Sequence, residues 1–123
     1  MLLVDSNAPE ERQQAILDEV EGMVGNGGTI TSSDGSTSAT KTWGQPAAWC
    51  AYSGTVNGRR AGVKIIPDPA NFRPCWWHNR DYGVFVANPY GRAAMKQGEP
   101  SRVEVKRGES HRLRFTVVLH SSP

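Results

Sequence analysis

The clearest hydrophobic pattern in this chain is an alternation of apolar and polar side chains between residues 111 and 120. The apolar positions and the positions between them are Leu113, Phe115, Val117, Leu119 and Arg112, Arg114, Thr116, Val118. A period of two residues is typical of a β-strand with one buried face. We therefore predict a strand over 111–120, which forms a hairpin with a strand over 102–106 around the turn at 107–109.

Two more apolar stretches, 49–56 and 59–66, flank Asn57-Gly58. Both of these residues tolerate positive φ, so the pair is a strong signal for a two-residue hairpin turn. The segment 67–71 holds two prolines and is predicted to be a loop. A further strand is expected over 82–87, ending at Asn88-Pro89-Tyr90-Gly91.

The N-terminal part has a different pattern. Asn7 is a candidate helix N-cap, and apolar residues then recur at helical spacing up to Gly25. These residues are Ile16, Leu17, Val20, Met23 and Val24. The polar stretch 28–42 is either a flexible linker or a hairpin that turns at Asp34-Gly35. We predict a strand–helix segment over 1–27 and a mainly β domain, an antiparallel β-sandwich, over 28–123.

Composition excludes several classes of protein. The 123 residues carry 14 Lys and Arg against 12 Asp and Glu, a net charge of +2, which is too balanced for an electrostatic nucleic-acid binder. No apolar run approaches the ~20 residues of a membrane-spanning helix, and no signal peptide is evident, so the compartment stays open. Cys50 and Cys75 lack metal-site spacing. We expect two free thiols, with one disulfide as the alternative in an oxidising compartment.

Chemistry concentrates between Pro74 and Gly83, where two Trp, one His, one Arg, one Asp and one Tyr occur together. An outward-facing Trp76 or Trp77 can stack on the C–H face of a sugar ring, although both can equally be packing residues at a sheet corner. Arg80 can bind a carboxylate, as in a uronic acid, or form a structural ion pair.

His78 is the best candidate for a general acid or base, because imidazole titrates near neutrality. Asp81 could orient its ring, and Tyr82 or Tyr90 could complete an acid–base pair of the kind used in epimerisation or β-elimination. The alternative is that His78 only caps the loop while Asp81 binds Arg80 or the backbone.

Three further residues complete the candidate set. Asn88 and Tyr90 shape the turn after the predicted strand, with Tyr90 a candidate pocket wall. His120 could approach His78, but a metal site would still need a carboxylate from Asp68 or Asp81. We predict no metal and no cofactor.

Longer motifs occur in an order that is typical of one family. They are Trp43-Gly44, Trp49-Cys50-x-Tyr52-Ser53-Gly54, Gly58-Arg59-Arg60-Ala61-Gly62-Val63, Pro67-Asp68-Pro69-x-Asn71-Phe72-Arg73, Trp77-His78-x-Arg80-Asp81-Tyr82-Gly83, Asn88-Pro89-Tyr90-Gly91, Gly108-Glu109 and Leu119-His120. On these motifs residues 28–123, but not 1–24, resemble the C-terminal half of an uncharacterised bacterial β-sandwich family often labelled "methane oxygenase PmoA".

The resemblance implies an incomplete sandwich with an open sheet edge, at which a second copy could pair. It also implies an architecture similar to that of carbohydrate-handling proteins. Methane oxidation is rejected, because that enzyme would be a multi-span membrane protein. Two hypotheses remain: a carbohydrate-binding or carbohydrate-modifying sandwich with its site around residues 76–82, and a non-catalytic structural or assembly module.

Overall fold

A computed structural model describes residues 28–81 and 83–121. The predicted N-terminal strand and helix lie outside these residues. The fold is mainly β, as predicted, with one short helix. The elements are β1 (Thr29–Ser32), α1 (Ala39–Thr42), β2 (Cys50–Val56), β3 (Arg59–Pro67), β4 (Trp76–Arg80), β5 (Val84–Asn88) and β6 (Phe115–Ser121).

Four strands form one antiparallel sheet in the order β1-β2-β3-β6. The predicted hairpin of β2 and β3 is confirmed, with φ of 51° at Asn57 and 77° at Gly58. Both values lie in the left-handed region, so the turn conformation agrees with the Asn-Gly signal. The chain also turns at Asp34-Gly35, where Thr31 and Thr37 form a bridge, but the main partner of β1 is β2.

A second, smaller sheet consists of β4 and β5, paired antiparallel. β4 was not predicted from the sequence, since turn-forming residues flank it on both sides. Its burial nevertheless alternates: Trp77 and Asn79 are buried, whereas the residues on either side of them are half-buried. Backbone hydrogen bonds between Trp77 and the 44–45 segment hold the other edge of β4.

The core lies between the inner faces of the two sheets. Its buried members are Ile30, Ala39, Cys50, Tyr52, Val63, Ile65 and Trp77. The Tyr52 ring of the large sheet meets the Phe85 ring of the small sheet edge to face, with centroids 5.8 Å apart. The two antiparallel sheets therefore form a sandwich-like fold, in agreement with the predicted fold class.

The hairpin predicted between residues 102–106 and 111–120 does not form, because only the second of these segments contains a strand, β6. Residues 102–106 form no strand, while Gly108 does sit in the expected turn, with the Glu109 N–H donating to the Lys106 carbonyl. β6 pairs with β3 from Ala61 to Pro67 instead, and its other edge stays unpaired among the described residues. The segment 102–106 offers only two valines against three charged residues, so it has little apolar surface with which to cover the sheet.

The sandwich is open along one side. Within the described residues, β5 and β6 each pair with a neighbour on only one edge. A cleft of about 270 Å³ separates them. Its lining is mainly apolar and comprises Ile65, Phe85, Val86, Ala87, Asn88, Pro89, Tyr90, Leu113, Phe115 and Val117. The small sheet is thus too narrow to cover the inner face of the large one completely.

Candidate functional site

The outward face of β4 carries three of the predicted site residues. Trp76, His78 and Arg80 alternate with buried residues, and each is half-buried. The register with β5 places His78 opposite Val86 and Trp76 opposite Asn88. Strand alternation therefore brings these three side chains to one surface, as expected for any strand at this position.

The Trp43 ring covers much of this outward face. The His78 ring meets it edge-on, with centroids 6.2 Å apart and planes at 67°, and the Arg80 guanidinium lies 4.9 Å from its centroid. Trp43 Nε1 and Arg80 Nε are buried and have no hydrogen-bond partner among the residues that the structure describes. The His78 and Arg80 side chains are thus packed against an indole.

Trp77, in contrast, belongs to the core. It is 0% exposed, its ring stacks on Phe85 with centroids 5.8 Å apart, and its indole N–H donates to the Ala47 carbonyl at 3.1 Å. Trp77 is therefore not accessible to a ligand, and its predicted role in binding is wrong. Of the two adjacent indoles, only that of Trp76 reaches the surface, because adjacent residues on a strand face opposite ways.

Asp81 lies exposed in the turn after β4. Its backbone carbonyl is 3.5 Å from the Tyr52 hydroxyl. Burial, together with the nearby Asp81 charge, raises the pKa of Tyr52. Tyr82 lies outside the described residues. No hydrogen bond joins His78 to Asp81 in the part of the chain that the structure describes, so Asp81 does not orient the His78 ring there.

Asn88 holds the turn that follows β5. Its Oδ1 accepts hydrogen bonds from the backbone N–H of Tyr90 at 2.8 Å and of Gly91 at 3.0 Å. This is the local geometry that favours Asn at the start of a turn. The contribution of Asn88 is thus to fix where Tyr90 points.

His120 lies far from the other candidates in the fold. It stands on β6 opposite Gly62 in the register, and a Cβ at Gly62 would lie 2.4 Å from His120 Nε2. The ring therefore covers Gly62 on the outer face of the large sheet. Because His78 occupies the outer face of the other sheet, the predicted approach of His120 to His78 is wrong. No three His, Cys, Asp or Glu side chains of the described residues are grouped to hold a metal ion.

A second cluster of rings was not recognised in the sequence. We call it the aromatic patch and define it as Phe72, Arg73, Tyr90 and His111. The Phe72 ring lies 5.8 Å from that of Tyr90 and 4.8 Å from that of His111, centroid to centroid. His111 Nε2 is 2.9 Å from the Tyr90 hydroxyl. His111 is exposed and is hydrogen-bonded to Tyr90.

Arg73, the charged member of the aromatic patch, is held in place by its contacts. Its guanidinium lies 4.6 Å from the centroid of the Phe72 ring, and one of its nitrogens donates to Ser101 Oγ at 2.6 Å and to the Pro89 carbonyl at 3.4 Å. The segments that carry these side chains are distant in sequence. The one sequence signal for the aromatic patch was an apolar residue, Phe72, within a proline-rich loop.

Both cysteines are buried free thiols, as expected. Burial raises the pKa of Cys50 to about 12 and that of Cys75 to about 11. Thiolates are the reactive form of cysteine. Neither sulfur is therefore suited to act as a nucleophile in the folded chain.

Fold and site together define a small mainly β, sandwich-like domain with an aromatic patch beside an apolar cleft. No helix of the described residues has the length and apolar character needed to cross a bilayer. A model of one protein family, described as "Family of unknown function (DUF6807)", matches residues 17–123. The chain belongs to this family.

The family match corrects one prediction, because it includes residues 17–24, which the sequence resemblance left out. The family description mentions no methane oxygenase. No curated protein and no solved structure matches this chain.

Proposed function

We propose that this chain is a saccharide-binding module and that the aromatic patch is its binding surface. The observation that carries the proposal is the exposure of two neighbouring rings: Phe72 is 42% exposed and Tyr90 is 40% exposed. Monomeric proteins seldom group large apolar side chains on their surface without a use for them. The planes of these two rings are tilted by 35°, so they form a shallow, curved platform.

The polar atoms of the patch suit a ligand rich in hydroxyl groups. The Tyr90 hydroxyl is engaged by His111 on one side and can both donate and accept. Arg73 uses one guanidinium nitrogen for Ser101 and Pro89, and a guanidinium has five N–H donors in all. A sugar ring on the two aromatic faces could therefore receive hydrogen bonds at its rim. A uronic acid would add a charge-assisted bond to Arg73.

Binding is better supported than catalysis. In the acid–base site predicted for this chain, a carboxylate orients the imidazole. Within the described residues, neither His78 nor His111 has a carboxylate as a hydrogen-bond partner. The ring of His78 packs against Trp43, and that of His111 contacts Phe72 and Tyr90. Carbohydrate modification by His78 with Asp81 as its orienting group would need a contact between these two side chains that the described residues do not make.

The test is a thermal-shift and calorimetric screen against mono- and oligosaccharides, including uronic acids. A ligand at 100 times its Kd should stabilise the wild-type chain by about 2.7 kcal/mol. Tyr90→Ala should weaken binding at least about tenfold, because it removes one ring of the platform and the partner of His111. The matched control is Val105→Ala, which truncates another exposed apolar side chain.

His78→Ala separates the two candidate surfaces. It should leave saccharide affinity unchanged, because His78 lies on the outward face of β4. Binding that His78→Ala abolishes and Tyr90→Ala preserves would transfer the site to the cluster around Trp43. A screen in which no saccharide binds would contradict the saccharide proposal as a whole.

An assembly role is the second candidate function. The observation that favours it is the pair of free strand edges, on β5 and β6, that flank the cleft. Unpaired edges are templates for pairing with another chain. The sequence of the β6 edge indicates which partner it pairs with.

A further inference from the structure

The edge of the large sheet formed by β6 is open. Phe115–Ser121 pairs with β3 on one side, and no strand of the described residues pairs with its other side. Every second residue of this strand therefore presents its backbone donor and acceptor along the open edge. Natural proteins usually protect such an edge.

The usual protective devices are missing from β6. The strand contains no Pro, Lys, Asp or Glu. Its register with β3 runs without interruption from Phe115 to Ser121, so no bulge bends it away. At its centre Val118 is 41% exposed. A regular, uncharged edge with an exposed apolar centre is suited to pairing with another strand.

The sequence of β6 is complementary to itself when it is reversed about Val118. In that antiparallel alignment Val117 faces Leu119 of the second copy, and Thr116 faces His120 of the second copy. Val117 and Leu119 then pair on the inner face, and Thr116 and His120 pair on the outer face, which are favourable cross-strand pairs, while Phe115 meets Ser121 on the inner face. Each Arg114 comes to lie away from its counterpart, whereas a parallel alignment would place the two side by side.

We propose that two copies of this chain form a symmetric dimer through antiparallel pairing of their β6 strands about Val118. The pairing joins two four-stranded sheets into one continuous sheet and covers the exposed Val118 side chain. The second copy also extends the inner face past Phe115 and Val117, next to the open cleft. This inference does not depend on saccharide binding.

The dimer should be weak. Stable interfaces bury about 800 Å² on each partner, and one strand of seven residues offers less than that. We therefore expect dissociation in the micromolar range, on the order of 1–100 μM. Light scattering and sedimentation over that range should show a shift from 13.4 kDa towards twice that mass.

The most specific test places charged residues at the symmetry axis, where Val118 faces Val118 of the second copy. Val118→Lys and Val118→Glu should each be monomeric throughout this range, since like charges would oppose each other. An equimolar mixture of the two variants should recover the dimer. Val105→Lys, at another exposed position, is the control and should behave as the wild type. Circular dichroism melts of each variant check that it is folded.

Disulfide trapping tests the register independently. Paired residues have Cα atoms within the range that a disulfide can span, so Val118→Cys should cross-link to itself under mild oxidation. Thr116→Cys should not, because the two copies of that position would lie about 13 Å apart along the strands. The native thiols are buried and should not compete.

Three outcomes would overturn the proposal. The first is a wild-type chain that stays monomeric up to several times the expected dissociation constant. The second is a dimer that survives Val118→Lys, which would place the contact elsewhere. The third is cross-linking of Thr116→Cys in preference to Val118→Cys. Each is distinct from a failed saccharide screen, since none of these measurements involves a ligand.

Discussion

The two sides of the sandwich differ in how completely they are covered. On the closed side β4 lies over β2, and the Asn79 amide donates to Thr42 Oγ1 at 3.0 Å and approaches Cys50 Sγ at 3.8 Å. On the open side, along the cleft, the inward-facing Phe115 and Val117 stay half-buried. The closed side thus carries the tightest packing, while the candidate binding surfaces, the aromatic patch and the β6 edge, lie along the open side.

Matched truncations on the two sides should give the largest difference. Trp77→Ala should reduce the free energy of unfolding by about 3–5 kcal/mol, because it empties a fully buried site. Phe115→Ala should cost roughly 1–2 kcal/mol, because this side chain is only half-buried. Urea unfolding measures both. Equal losses at the two positions would contradict the distinction between the sides.

Two asparagines allow a finer comparison. Asn79→Ala should cost about 1–3 kcal/mol, because it deletes the buried amide that binds Thr42. Asn71 hydrogen-bonds the backbone of Arg114 with both its amide nitrogen and its oxygen, at 2.8 and 2.9 Å, in a solvent-accessible loop. Asn71→Ala should therefore cost about 1 kcal/mol or less. The same unfolding assay should rank them in this order, and the reverse order would be evidence against a rigid closed side.

A further effect should appear in alkaline solution. A thiol whose pKa is raised by folding stays protonated in the folded state after it ionises in the unfolded state, so stability falls as pH rises. The unfolded value is about 9, and the folded values are about 11 for Cys75 and about 12 for Cys50. The loss should thus begin near pH 9 and extend to pH 11–12.

A variant in which both cysteines are replaced by Ala tests the origin of this loss. It should show a shallower decline of stability over the same pH window, with a remainder from Tyr52, whose pKa is also raised. Thiol labelling followed by mass spectrometry should show slow modification of the native protein and fast modification in urea. An unchanged slope in the double variant would assign the alkaline loss to other groups.

Local signals predicted the elements that depend on local chemistry. Asn57-Gly58 specified its hairpin, and alternation specified the buried face of β6. The strand β4 was missed, because its assignment depends on pairing with β5 and with the 44–46 segment rather than on its own pattern. The false strand over 102–106 has the opposite cause, since its alternation was genuine but its two valines and three charged residues give it little apolar surface to bury.

The candidate site was harder to predict for the same reason. His78, Arg80 and Trp76 share one face, which adjacency along a strand can predict, but the role of Trp43 depends on a contact across more than thirty residues of chain. The aromatic patch joins Phe72, Tyr90 and His111 from three separate loops. Such clusters arise only from the tertiary fold, so no periodicity in the sequence marks them.

The position of β3 has a consequence for the order of folding. It pairs with β2 through a two-residue turn, but its other neighbour, β6, follows only after a connection from Pro67 to Phe115. Hairpins close within about 1–10 μs, whereas contacts between distant segments form more slowly. During synthesis the β2–β3 hairpin can therefore form early, and the free flank of β3 must wait until β6 has left the ribosome.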